Sequence, residues 1–258
     1  MLAIIARAVL VTSCLVAWGC APPVTTRVVS YNIHHGEGVD GRFDLERIAE
    51  VIIALDPDLV ALQEVDRGTR RSGGIDQASV LAMLTGRHHA YGRAMPYDGG
   101  EYGVAILSRW PIVEATNDPL PYSEGHEPRT ALSVVVESPK GRRLRFISTH
   151  FQHDSGDDRL EQARRLNRIF DGENEPPMIL AGDLNAEPGS PPMQELLEWW
   201  TPAILEEPPL TFSSTAPDRA IDWILLKPGR KWTVFSVEAI DEPVASDHRP
   251  LVAVVRVR

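Results

Sequence analysis

The sequence predicts an α/β protein in which β-sheets pack on one another and helices lie outside them. Two observations carry this. From Arg27 onward, β-branched runs of strand length recur to the C-terminus. A few segments with apolar residues at helical spacing interrupt those runs. At 258 residues the chain suits one large α/β or sandwich domain, or two small ones. No repeat, low-complexity tract or long linker follows Thr26, so one domain is expected over 27–258.

The N-terminus places Arg7 before an apolar run from Ala8 to Gly19, then Cys20 and Pro22-Pro23. The run falls short of the roughly 18–20 residues that span a bilayer, so residues 1–20 are expected to be a secretory signal peptide and 21–26 a linker. The Gly19-Cys20 junction resembles a bacterial lipoprotein processing site, with Trp18 where such sites take small residues. Export to the periplasm, the medium or a lipid anchor on the envelope is therefore expected, an uncleaved anchor being the alternative. Both cysteines, Cys14 and Cys20, lie in this segment. The domain itself has neither disulfide nor thiolate chemistry.

The elements follow in order. Residues 27–33 (RVVSYNI) are a β-branched run, and 43–55 place Leu45, Ile48, Ile52 and Leu55 on one helical face behind an Asp44 N-cap. A buried strand is expected in 56–65, then a short helix capped by Asp76 and ended by Gly86. Strands dominate from Tyr102: 102–109, then 130–138 and 142–151 joined by a Pro139-Lys140-Gly141 turn. Residues 156–170 form a helix through Leu160, Ala163, Leu166 and Ile169. A strand at 177–185, a short helix from Ser190-Pro191, and strands at 221–226, 231–240 and 250–257 complete the chain.

Several of these apolar strands end in a residue that a core strand has no reason to carry. They deliver Asn32, Glu64, His150, Asp183, Asn185, Asp222, Asp247 and His248. Asp183 and Asn185 are two apart, on one side of an extended chain. Any one of them alone is an ordinary turn or cap residue. Together, clustered carboxylates repel unless a cation or protons compensate. Oxygen donors suit hard Mg²⁺ or Mn²⁺, with Ca²⁺ possible, rather than a soft metal. Mg²⁺ commonly keeps water and substrate phosphate among its ligands, which points to phosphoester chemistry.

Here the sequence resembles a known family. VVSYNIHHGEG, VALQEVD, YGVAILSRWP, STHF, LAGDLNAEP, IDWILL and SDHRPLVAVV are similar, in order, to the successive motifs of the endonuclease/exonuclease/phosphatase (DNase I-like) superfamily, its secreted bacterial branch included. The resemblance implies a four-layered α/β/β/α sandwich with the site at one end of the paired sheets. It implies Glu64 as principal metal ligand, assisted by Asn32 and Asp247. Asp183 and Asn185 would orient the attacking water and hold the phosphate, and His248 would pair with Asp222. His150 resembles a second histidine that protonates the leaving oxygen, with Glu101 or Tyr102 near the place of its acidic partner. Histidines, with pKa values near 6.5, suit both proton roles.

Three further residues are candidates for substrate contact. Arg129 can grip two phosphate oxygens, His34 shares strand parity with Asn32, and Tyr102 lies near the site. Arg67, Arg70 and Arg71 form either a basic rim or a solvated loop, and Trp199-Trp200 reads as core or lid packing. Loss of the signal segment leaves 25 basic against 36 acidic residues, a net charge of −11. An acidic surface disfavours nonspecific DNA binding. The expected activity is therefore metal-dependent hydrolysis of a small or lipid-derived phosphoester by a monomer. A secreted endonuclease is the alternative, and a non-catalytic phosphate- or lipid-binding module a second.

Overall fold

The computed structural model describes residues 22–172 and 175–258; the expected signal segment and Ala21 of the expected linker lie outside the described residues. Along the chain run β1 (Val24–Asn32), α1 (Leu45–Leu55), β2 (Leu59–Arg67), α2 (Gln77–Thr85), β3 (His88–Tyr97), β4 (Gly100–Ser108), β5 (Ile112–Leu120) and β6 (Arg129–Glu137). Then come β7 (Arg143–His150), α3 (Gly156–Ile169), β8 (Met178–Asp183), α4 (Pro191–Leu197), β9 (Thr201–Pro202), β10 (Asp222–Lys227), β11 (Trp232–Ala239) and β12 (Leu251–Val257). The strands make two six-stranded sheets, ordered β11-β12-β1-β2-β4-β3 and β5-β6-β7-β8-β10-β9.

Alternating side chains bind the layers together, because successive residues of a strand point to opposite faces. In β1, Val28 faces the second sheet, while Val29 and Tyr31 face α1 and α2. In β8, Ile179 and Ala181 face the first sheet, while Met178 and Leu180 pack under α3 and α4. The result is the α/β/β/α sandwich that the motifs imply. Among the described residues no helix is long and apolar enough to cross a membrane.

The helix signals act locally as the sequence predicts. Asp44 accepts from Arg47 N and Asp76 from Ser79 N, each satisfying an amide at a helix start. Gly86 closes α2 in the left-handed conformation at φ 64°. Leu45, Ile48 and Ile52 are buried against the first sheet, at roughly 1.5–3 kcal/mol for each large side chain.

Helix α3 departs from its expected stripe. Ala163 and Leu166 are buried, but Leu160 and Ile169 are only half-buried, and Asp158, Gln162 and Asn167 go inside with them. These polar residues hold loops. Gln162 accepts from Gln152 N and donates to Pro121 O, and Asn167 donates to Glu195 O. Strands β3, β5 and β9 carry no clear strand pattern in the sequence. All three are sheet edges, where partial exposure removes the hydrophobic alternation that marks a strand.

Candidate active site

Strand ends build the site. By the alternation above, Asn32 at the end of β1 points between the sheets, as do His150 ending β7, Asp183 ending β8 and Asp222 starting β10. Register brings the last three side by side: β8 pairs Asp183 with His150 on one flank and with Asp222 on the other. Four polar side chains from both sheets therefore converge at one end of the sandwich.

Glu64 arrives by a different device. The register of β2 against β4 shifts between Leu62 and Val65, so one extra residue is inserted there, and Glu64 adopts φ 59°. Leu62 and Val65 both stay under the helices while Glu64, half-buried, is released toward Asn32. Asn32 Nδ2 lies 3.1 Å from both Glu64 Oε1 and Asp183 Oδ2, so this amide ties the two carboxylates together. Its Oδ1 accepts from His34 N at 3.0 Å and keeps a second lone pair.

Asp183 Oδ2 is the meeting point. Besides Asn32, it faces His150 Nε2 at 3.4 Å and His248 Nε2 at 3.5 Å. Its Oδ1 accepts from Asn185 N at 2.9 Å. Burial, with the neighbouring Asp222 charge, pushes the Asp183 carboxyl up to about 7, against His248 and these hydrogen bonds. His248 Nδ1 lies 2.9 Å from Asp222 Oδ2, which also accepts from Thr211 Oγ1 at 2.6 Å. Burial pushes the His248 imidazole down, but Asp222 and Asp183 outweigh it and raise its pKa to about 10.

His150 is the electrostatic opposite. Burial, and then the charge of Arg129, holds its pKa well below the ordinary value. Arg129 Nη1 is 3.1 Å from His150 Nδ1. A guanidinium only donates, so Nδ1 accepts from it, while Nε2 faces the Asn185 amide nitrogen at 3.1 Å and Asp183 Oδ2 at 3.4 Å. Arg129 is itself buried, ion-paired to Glu127 at 2.9 Å, with its Nε lacking a partner. Neither Glu101 nor Tyr102 partners His150. Glu101 pairs with Arg67 and Arg93 instead. The buried Tyr102 stands near Glu64 and Arg129, and burial raises its phenol well above the usual range.

The remaining candidates divide. Asn185, at φ 46°, sets Nδ2 against His150 Nε2 at 3.1 Å and Phe151 O at 3.2 Å. Asp247 is half-buried, and its Oδ1 accepts from Ser246 Oγ. His34 does not continue β1; it opens a 3-10 turn, His34–Gly36, beside Glu64. The basic rim is neutralised, with Arg70 paired to Asp98 and Arg71 to the buried Asp66. Trp200 is core and donates to Asn167 Oδ1, whereas Trp199 is exposed. Sequence reasoning missed Thr211, Glu127 and Ser246, whose hydroxyl donates to Asn32 O at 2.7 Å. None sits in a strand, so nothing in local pattern marks them.

Residues 29–248, most of both sheets and all of these side chains, match the model of the Endonuclease/Exonuclease/phosphatase family. The chain belongs to that family. Its members are mostly hydrolytic phosphoesterases and typically depend on a divalent metal. The uncharacterized protein YbhP of Escherichia coli is 28% identical over 172 residues, covering 62% of this chain and 66% of YbhP, just under two thirds of that relative. An endonuclease/exonuclease/phosphatase from Beutenbergia cavernae superposes with a TM-score of 0.72 at 26% identity, over 90% of this chain and 72% of the other. A mannosyl-6-phosphatase of Bacteroides thetaiotaomicron gives 0.71 at 19% identity, over 89% and 99%, a likeness of fold.

Proposed function

We propose that this family member is an exported, metal-dependent hydrolase of small or lipid-derived phosphoesters, of the secreted bacterial branch. One observation carries the hydrolase: Asn32, Glu64, Asp183, Asp222, His150 and His248 converge between the sheets, two of the carboxylates fully buried within one another's field.

These residues fit a hard divalent cation. Asp222 Oδ1 is buried without a partner, Asp183 is forced up to about 7, and Asn32 keeps a lone pair next to Glu64. Unmatched oxygen donors of this kind favour a positive charge. Glu64, Asn32 and Asp247 would hold Mg²⁺ or Mn²⁺, with Ca²⁺ as an alternative. When bound, the ion supplies positive charge against the phosphoryl oxygens.

The chain's own residues supply the rest. Asp183, held at one oxygen by Asn185 N and facing both imidazoles with the other, is the carboxylate placed to take a proton from an attacking water. His248, protonated up to about 10 and braced by Asp222, sets a fixed positive charge beside it. Burial and the Arg129 charge hold the His150 imidazole well below its ordinary pKa, and its Nε2 faces the site beside Asn185 and Asp183. The buried Arg129 Nε is a donor without a partner.

Substrate size follows from charge. With −11 beyond Cys20 and Arg67, Arg70 and Arg71 all ion-paired, the described residues leave no unpaired basic track beside Glu64 for a polymer. Initial rates on plasmid DNA, bis-p-nitrophenyl phosphate, inositol phosphates and sphingomyelin, with Mg²⁺, Mn²⁺, Ca²⁺ or EDTA, test this. Small or lipid esters should turn over with little salt dependence, and DNA nicking should fade as salt rises. Rapid nicking at physiological salt with negligible small-ester turnover would establish the endonuclease instead. Full turnover in excess EDTA would end the metal-dependent proposal.

A further inference from the structure

Beside Glu64 the turn His34–Gly36 creates a second donor set of different chemistry. One ligating atom from each of His34, His35 and Glu64 lies within 4.8 Å of the other two. Three donors about an ion at ~2.1 Å stand roughly 3.4 Å apart, so a small closure of the side chains completes the set. We propose that His34, His35 and Glu64 form a nitrogen-containing metal site that takes a borderline transition ion, Zn²⁺ in the first place, in preference to Mg²⁺.

The contacts around each imidazole leave one ring nitrogen free to act as a ligand. His34 Nδ1 lies 3.0 Å from Glu37 O, a carbonyl that can only accept, so Nδ1 carries the proton and Nε2 is the free lone pair. A ring N–H donated to a backbone carbonyl is the usual way of orienting a metal-bound histidine. In His35 the free nitrogen is the other one. Its Nε2 faces the Glu37 carboxylate at 3.6 Å, while its Nδ1 is buried with no hydrogen-bond partner. A buried nitrogen left without a partner is uncommon and asks for an explanation. A bound cation is one that also accounts for the neighbouring carboxylate.

The two rings are pre-positioned. They meet edge to face with centroids 4.6 Å apart, and Gln77 Nε2 donates to His35 O at 2.6 Å to pin the turn. Both histidines are only partly buried, so three protein donors would leave a coordination position open to solvent. Imidazole suits Zn²⁺, whereas Mg²⁺ asks for oxygen and near-octahedral geometry. The site goes beyond the phosphoester reading and shares only the Glu64 carboxylate with it.

X-ray absorption of the purified protein loaded with one equivalent of Zn²⁺, in excess Mg²⁺, tests the site without any substrate. Two imidazole nitrogens at about 2.0–2.1 Å are expected. Zinc affinity, measured against a fluorescent chelator, should fall by on the order of 10–100-fold or more in both His34→Gln and His35→Gln. Asp222→Asn should leave it unchanged. One imidazole or none in the spectrum overturns the proposal. So does a loss of affinity in Asp222→Asn with none in the two histidine variants, which would place the ion at Asp183, Asp222 and His248. The absorption measurement needs no variant, so an unfolded mutant does not block the test. Hydrolysis that requires Mg²⁺ or Mn²⁺ would stand under any of these outcomes.

Discussion

Arg129 Nη1 lies 3.1 Å from His150 Nδ1, and this contact decides which nitrogen of the imidazole faces the site. A guanidinium has no lone pair to offer, so the ring accepts at Nδ1 and turns Nε2 toward Asn185 and Asp183. The same charge, added to burial, keeps His150 neutral. The two histidines of the site are thereby driven apart, one neutral and one charged, by neighbours that lie far from each in the sequence.

Replacing Arg129 by Met therefore frees the His150 tautomer and removes a buried donor. A loss of about 10²–10³-fold in kcat is expected, comparable to losing one donor to a developing charge. Nitrogen-15 shifts of the His150 ring should change once the Arg129 contact at Nδ1 is lost. An unchanged ring spectrum with normal kcat would show that Arg129 only packs.

Glu64→Ala and His248→Ala should fail in different ways. Glu64 faces Asn32 with an ionisable oxygen and would lose divalent-ion affinity. His248 is fixed by Asp222 and contributes charge, so His248→Ala should lower kcat by about 10²–10⁴-fold while calorimetry shows the hard cation still bound. Equal loss of binding in both would contradict this division.

His126 and Asp158 give a pH-dependent clamp away from the site. His126 Nδ1 is 2.6 Å from Asp158 Oδ2, and that bond raises the His126 pKa. Burial pushes Asp158 up, but hydrogen bonds from Ser123 and His126 hold it below the usual carboxylate range. The histidine's contribution is whole below its unfolded pKa of about 6.5 and is lost as pH rises through the higher folded value. The aspartate's is whole above about 3.9 and is lost as pH falls through the lower folded value. The Tm gap between wild type and His126→Asn should thus be widest between about pH 4 and 6.5 and shrink on either side. A gap that keeps growing above that window would refute the linkage.

Gly182→Ala should damage stability and chemistry together. A Cβ at Gly182 would collide with the Thr149 carbonyl of the neighbouring strand, one residue before both His150 and Asp183. A cost of about 1–3 kcal/mol is expected for such overpacking. Each kcal/mol should lower Tm by about 2–4 °C in a chain of this size. Activity should drop further than the folded fraction does, because the pair of strands that sets the His150–Asp183 distance is pried apart. Normal kcat per folded molecule would refute that coupling.

The sequence by itself determined which segments are helices, where Asp44, Asp76 and Gly86 begin or end them, and which strands carry Asn32, Asp183 and Asp222 at their tips. It did so because capping and alternation are local: a residue's face follows from its distance along the chain to its apolar neighbours. Three things only the tertiary structure decided. The bulge that frees Glu64 depends on how β2 pairs with β4, and the histidine turn depends on a side chain 42 residues away, Gln77. The charge states of His150 and His248 depend on Arg129 and Asp222, brought against them across strands and loops. Burial in a common low-dielectric cleft then turns those long-range contacts into opposite proton affinities, which no residue spacing can encode.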